Sequence, residues 1–132
     1  MIFPALTAVY AAVLALIFAV LSAWVVAGRF AFRVNHGDGG NAALLRRIRS
    51  HANFAEYVPL TLLLVALLEA GGAGRLTIHA LLLPLVVARI AHPIGMVARD
   101  FSRQQFTFRG PASVVTWLVM VVAAVLLLVR YA

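Results

Sequence analysis

The run Arg46-Arg47-Ile48-Arg49-Ser50-His51-Ala52-Asn53-Phe54-Ala55-Glu56-Tyr57-Val58-Pro59 sets cations, an imidazole, an amide, a carboxylate and a phenol directly before the apolar stretch Leu60 to Leu68. At about 100° per residue, Arg46, Arg49, Asn53, Glu56 and Tyr57 share a helical stripe roughly 100° wide. His51 lies away from it, on the side of Arg47 and Phe54. A second stripe holds Arg89, His92, Met96, Arg99 and Arg103. Guanidinium forks match carboxylate and phosphate bidentately, so both stripes suit an anionic ligand. His92 adds a group that bonds a carboxylate or titrates near neutrality. The competing reading of Glu56 is an intramembrane ion pair with Arg49 or Arg89 that joins helices without chemistry.

Only 12 uncharged residues separate Glu56 from Glu69, whereas a helix crossing a bilayer needs about 20. A spanning helix must therefore take in Asn53, Glu56 and Arg49. Ionisable groups at that depth mark a functional site facing a partner helix or a water-filled cavity. Around this segment the chain divides cleanly. Residues 1–28 carry no charge; they are long enough to span and too long, without a basic start or small-residue cleavage site, for a signal peptide. They predict a first helix over about 2–30. Asn35-His36-Gly37-Asp38-Gly39-Gly40-Asn41 can only be a loop. A second helix is expected over about 42–69, closed by the turn Ala70-Gly71-Gly72-Ala73-Gly74. The uncharged part of the third, Leu76 to Ala88, has 13 residues, so that helix must continue through Arg89, His92 and Met96, over 76–100. Gly110 to Val129 gives 20 uncharged residues and a fourth helix at 111–130. Pro59, Pro84 and Pro93 predict bends beside the polar cluster.

Composition agrees with an all-α, integral membrane four-helix bundle forming one domain over residues 1–132. The chain is 64% hydrophobic and 11% charged, far more apolar than a soluble domain. Its 11 basic residues are all arginine. They flank membrane segments, and no nucleic-acid module accompanies them, which excludes a nucleic-acid partner. Eight surround the first and third loops, while Arg75 and Arg130 mark the opposite side. By the positive-inside rule those loops are cytoplasmic and both termini lie outside. Successive spans alternate in direction, so the polar start of helix two and the polar end of helix three share a leaflet and can face one another. Cysteine is absent, so any thiol chemistry must use a thiol brought by the substrate. The four histidines have no metal-binding spacing, and no metal site is expected. His36 reads as a solvated turn residue, His79 as an interfacial side chain, and Trp24 as a belt residue.

Arg46-x-x-Arg49-x-His51-x-Asn53-x-x-Glu56-Tyr57-x-Pro59 is similar to the second-helix signature of the membrane-associated proteins in eicosanoid and glutathione metabolism, which include the microsomal glutathione transferases and leukotriene C synthase. Arg29-Phe30-Ala31-Phe32-Arg33-Val34 resembles that family's basic end of helix one. Ala88-Arg89-Ile90-Ala91-His92, with Gly95 and Arg103, resembles its third helix. Gly37-Asp38-Gly39-Gly40 resembles the loop of its small bacterial branch. The resemblance implies a homotrimer in a bacterial inner membrane, with glutathione bound between subunits near the cytoplasmic surface. It assigns Arg49, Asn53, Glu56 and Tyr57 to glutathione contacts. Glu56 would accept the amino group, and Arg29 and Arg49 would hold carboxylates. His51 and His92 match further binding positions, and Arg103 matches the arginine that stabilises the thiolate. An apolar electrophile or lipid peroxide would be the second substrate.

The chain departs from that pattern in two places. His92 and Met96 stand where the best-studied members carry tyrosines, and Leu45 stands where a glutamate commonly opens the second-helix signature. Methionine cannot replace a phenol. The sequence is therefore compatible with a glutathione-dependent transferase or peroxidase, and alternatively with a non-catalytic protein that binds glutathione or another small anion between subunits. A transporter is disfavoured because the outer halves of helices two and three are almost wholly apolar.

Overall fold

A computed structural model describes residues 2–132. The chain forms α1 (Ala5–Phe32), α2 (Ala42–Ala70), α3 (Arg75–Met96) and α4 (Gly110–Tyr131), the last entered through a π-helical segment, Gln105–Arg109. Among the described residues there is no strand. All four helices are long and apolar enough to cross a membrane. The protein is thus an all-helical integral membrane protein.

Each helix packs through a limited set of residues and leaves much of its surface exposed in the single chain. On α1 the buried residues are Thr7, Leu14, Leu21 and Gly28, one in every seven, the repeat that keeps a seam on one side of a helix. Leu14 and Leu21 meet Phe54, Val58 and Val65 of α2, Ile78, Leu82 and Leu85 of α3, and Val119 and Ala123 of α4 in one core. The seam of α4, Ala112, Thr116, Val119 and Ala123, is small-residue rich, which lets helices approach closely in lipid.

Side chains secure the helix ends. Asn41 caps α2, its Oδ1 accepting from the amides of Ala43 and Leu44 at 3.0 Å each. At the far end of α2, Glu69 reaches across to the start of α1. Its carboxylate accepts from the amides of Leu6 at 2.9 Å and Thr7 at 2.7 Å, and from the Thr7 hydroxyl at 2.6 Å. Those amides are among the first-turn donors that a helix cannot satisfy itself. Close by, the Tyr10 hydroxyl and His79 Nδ1 lie 2.8 Å apart, so His79 is tied to α1. Arg130 donates to the carbonyl of Gly71.

The third helix departs from expectation. It stops at Met96 instead of reaching residue 100, and helical structure resumes before residue 110. Arg99 and Arg103 therefore leave the stripe of Arg89 and His92. Arg99 lies in the connecting loop, and Arg103 begins the helical path into α4. Two adjacent amides hold this break. Gln104 Nε2 donates to the carbonyl of Ile94 at 3.1 Å, and Gln105 Oε1 accepts from the amide of Phe101 at 2.8 Å. Phe101 has φ 58°, a left-handed conformation unusual for a side chain of its size. Gly95 lets α3 lie directly against the π-helical segment, since a Cβ there would sit 2.8 Å from Arg109 Cα.

Candidate ligand-binding site

The polar face of α2 is built around a buried cation. Arg89 of α3 is only 1% exposed, and among the described residues no carboxylate pairs with it. Its Nη1 donates to Asn53 Oδ1 at 2.8 Å and its Nη2 to the carbonyl of Ala112 at 3.3 Å, while Nε has no partner. One guanidinium thereby joins α2, α3 and α4 through neutral acceptors. Isolated buried charges are costly, and the two hydrogen bonds offset part of that cost.

Around Asn53 the other α2 residues stay accessible. Arg49 Nη1 and Glu56 Oε1 are 3.6 Å apart, with side chains 54% and 47% exposed. Of the two ionic partners open to Glu56, the structure selects Arg49. The pair is too long for a strong hydrogen bond, so each group keeps bonding capacity. Tyr57 is half-buried, its ring centroid 6.3 Å from that of Trp117 on α4. Thr61 donates to the Tyr57 carbonyl at 2.8 Å, near Pro59 inside the helix.

Other candidate residues are placed elsewhere. His51 turns towards α1, stacks on Phe18 with ring centroids 4.5 Å apart, and has Nε2 3.1 Å from Ser22 Oγ. Because the single Ser22 proton goes to the Phe18 carbonyl, His51 Nε2 must be the donor in that contact. Arg29 is drawn into its own loop, Nη1 donating to the carbonyls of Asn35 at 3.2 Å and Gly37 at 3.0 Å. It also lines a cavity of about 540 Å³ with Phe30, Arg33 and Val34. His92 is buried on the seam of α3, and Arg103 is exposed. The structure thus brings Arg49, Asn53, Glu56 and Tyr57 onto one face of a single chain, with Arg89 behind them. His51 and Arg29 bond elsewhere, to Ser22 and to the first loop. Among the described residues no three His or acidic side chains are grouped to hold a metal ion.

Three arginines have parts that spacing alone did not assign. The sequence placed Arg89 on the stripe of His92, in an apolar run with no nearby acid. Such a cation needs neutral oxygen acceptors. Arg47 crosses α1 at Gly28, donates to the Trp24 carbonyl at 3.0 Å, and lies over the Trp24 ring at 5.2 Å. Arg46 pairs with Asp100 at 3.4 Å and ties α2 to the loop after α3.

Four helices long and apolar enough to span a membrane, the second carrying an accessible Arg-Asn-Glu-Tyr face, define an integral membrane protein with a polar helix face. Residues 7–129 match the MAPEG family, and the chain belongs to it. It is 34% identical over 120 residues to inner membrane protein YecN of Escherichia coli strain K12, covering 89% of this chain and 88% of that one. The same figures hold for YecN of Escherichia coli O6:H1 strain CFT073. No solved structure matches significantly. The family, the inner-membrane relatives and the four apolar helices together support an integral inner-membrane protein.

Proposed function

We propose that this protein is a membrane-bound, glutathione-dependent transferase or peroxidase whose ligand lies against Arg49, Asn53, Glu56 and Tyr57. The observation that carries this reading is the Arg49–Glu56 pair, 3.6 Å apart and about half exposed on a membrane-spanning helix. A single subunit would bare both charges, which is costly in hydrocarbon. A homotrimer of one-domain subunits would cover this face and leave a polar crevice between neighbours. The donor set suits a zwitterion with two carboxylates and one ammonium. Arg49 supplies charge-assisted donors, Asn53 a neutral donor, and Glu56 the acceptor for an ammonium group. Arg29, His51, His92 and Arg103 complete the proposed site from neighbouring segments or subunits.

Bound glutathione would supply a thiol able to attack an apolar electrophile or reduce a lipid peroxide. The chain's own contribution is to hold the carboxylates with Arg49 and Arg29, the amino group with Glu56, and a cation beside the sulfur. Fixed positive charge favours the thiolate, and Arg103 is proposed for that place. Cytoplasmic loops one and three, with both termini outside, would put the crevice in the compartment that contains the thiol.

A second reading, a non-catalytic binder of glutathione or another small anion, is favoured by the third helix. His92 is buried and Met96 offers no phenol. Titration calorimetry with glutathione and thiolate absorbance at neutral pH separate the two. The enzyme reading expects binding with a thiolate signal that Arg103→Ala abolishes at nearly unchanged affinity. Binding without a thiolate signal supports the non-catalytic protein, and absence of binding overturns both.

A further inference from the structure

We propose that Arg89 is a positioning residue that locks the side-chain amide of Asn53 in one orientation, so that this position turns its NH2 group to a ligand. The inference rests on the α2 face being the ligand site. A guanidinium has five N–H donors and no acceptor, so the Asn53 atom 2.8 Å from Arg89 Nη1 must be the carbonyl oxygen. The amide nitrogen then lies on the other branch of the plane, and it forms no hydrogen bond among the described residues. Arg89 is itself fixed, 1% exposed and bonded to the Ala112 carbonyl of α4.

Unrestrained, an asparagine offers either an acceptor or a donor and adapts to whichever group approaches. With its oxygen held against Arg89, Asn53 presents its NH2 donors to the ligand. It selects a carboxylate or peptide carbonyl and disfavours an ammonium or amide N–H at that point. Arg49 and Glu56, one turn away on either side, recognise opposite charges. The locked amide therefore fixes which end of a zwitterion points which way along the helix. Holding the group before the ligand arrives also removes the ordering cost of binding.

The lock is tested first without ligand. In 15N-labelled protein, the Asn53 side-chain NH2 resonances, assigned by their loss in Asn53→Asp, should be a single dispersed pair. In Arg89→Met they should move towards the averaged positions of a free amide. Identical Asn53 resonances in the two proteins would overturn the lock, whether or not glutathione binds. The ligand role is tested by a cycle on glutathione affinity. Arg89→Met should weaken binding about tenfold in the wild-type background and have almost no effect in Asn53→Ala, and Arg89→Lys should restore part of the loss. Equal losses in both backgrounds would show that Arg89 does not act through Asn53. Should Arg89→Met fail to fold, Arg89→Lys and Asn53→Ala complete the cycle alone, a smaller Lys effect in Asn53→Ala being the expected result. If wild-type protein binds no glutathione while the resonances behave as expected, the functional reading falls and the lock stands.

Discussion

Replacing Glu56 by glutamine removes one charge and keeps nearly the same shape, and two readings of that charge predict different losses. As a structural partner of Arg49 it is worth little. The pair is 3.6 Å apart with side chains 54% and 47% exposed, and exposed pairs of this kind contribute about 0–1 kcal/mol. As the acceptor for a ligand ammonium it would form a charge-assisted hydrogen bond worth about 1.5–3 kcal/mol, or roughly 10- to 150-fold in affinity. Glu56→Gln should therefore weaken glutathione binding by one to two orders of magnitude. Its oligomeric state and unfolding midpoint should stay close to wild type. Calorimetry of the two purified proteins gives the first quantity, and native mass spectrometry with denaturant titration gives the second. A mutant that no longer inserts or assembles would make Glu56 structural, because removing one member of a buried pair leaves an uncompensated charge. Unchanged affinity would refute the ammonium contact.

Glu69→Ala removes the acceptor for the Leu6 and Thr7 amides and should cost about 2 kcal/mol in denaturant titration, as loss of a helix cap does; no change would show that water serves those donors equally well. Gly95→Ala drives a methyl to 2.8 Å from Arg109 Cα and should destabilise by about 3 kcal/mol or more, since overpacking against backbone has no side chain to move aside; rapid proteolysis within residues 97–104 is the expected readout, and wild-type resistance would refute the close approach. Eight arginines around loops one and three predict an external C-terminus; a C-terminal reporter active only in the cytoplasm would reverse the orientation and remove the proposed site from the thiol's compartment.

What could be read from the sequence follows the range over which each feature is determined. Helix two was expected near Ala42 because the turn formers Asn35 to Asn41 end there, and the structure shows Asn41 Oδ1 capping that start. The displacement of His51 from the α2 stripe was a matter of phase alone, and the side chain does turn to α1. The end of α3 was misjudged because Arg99 and Arg103 continue its periodicity. The break is held instead by Gln104 bonding back to Ile94 and by Gln105 bonding Phe101, contacts that exist only once the chain has turned. Glu69 looked like a boundary marker because its partners lie at Leu6 and Thr7. Arg89 could be placed on a stripe, but its choice of Asn53 and Ala112 over Glu56 depends on how three helices meet.

The Glu69 clasp also bears on the order in which the protein enters the bilayer. During synthesis the amides of Leu6 and Thr7 emerge more than sixty residues before the carboxylate that receives them. Until then interfacial water must serve them, which holds the start of α1 at headgroup level while the chain lengthens. Delivery of Glu69 to the same surface closes the first two helices into a hairpin. The clasp therefore belongs to the pair of helices and not to α1 alone.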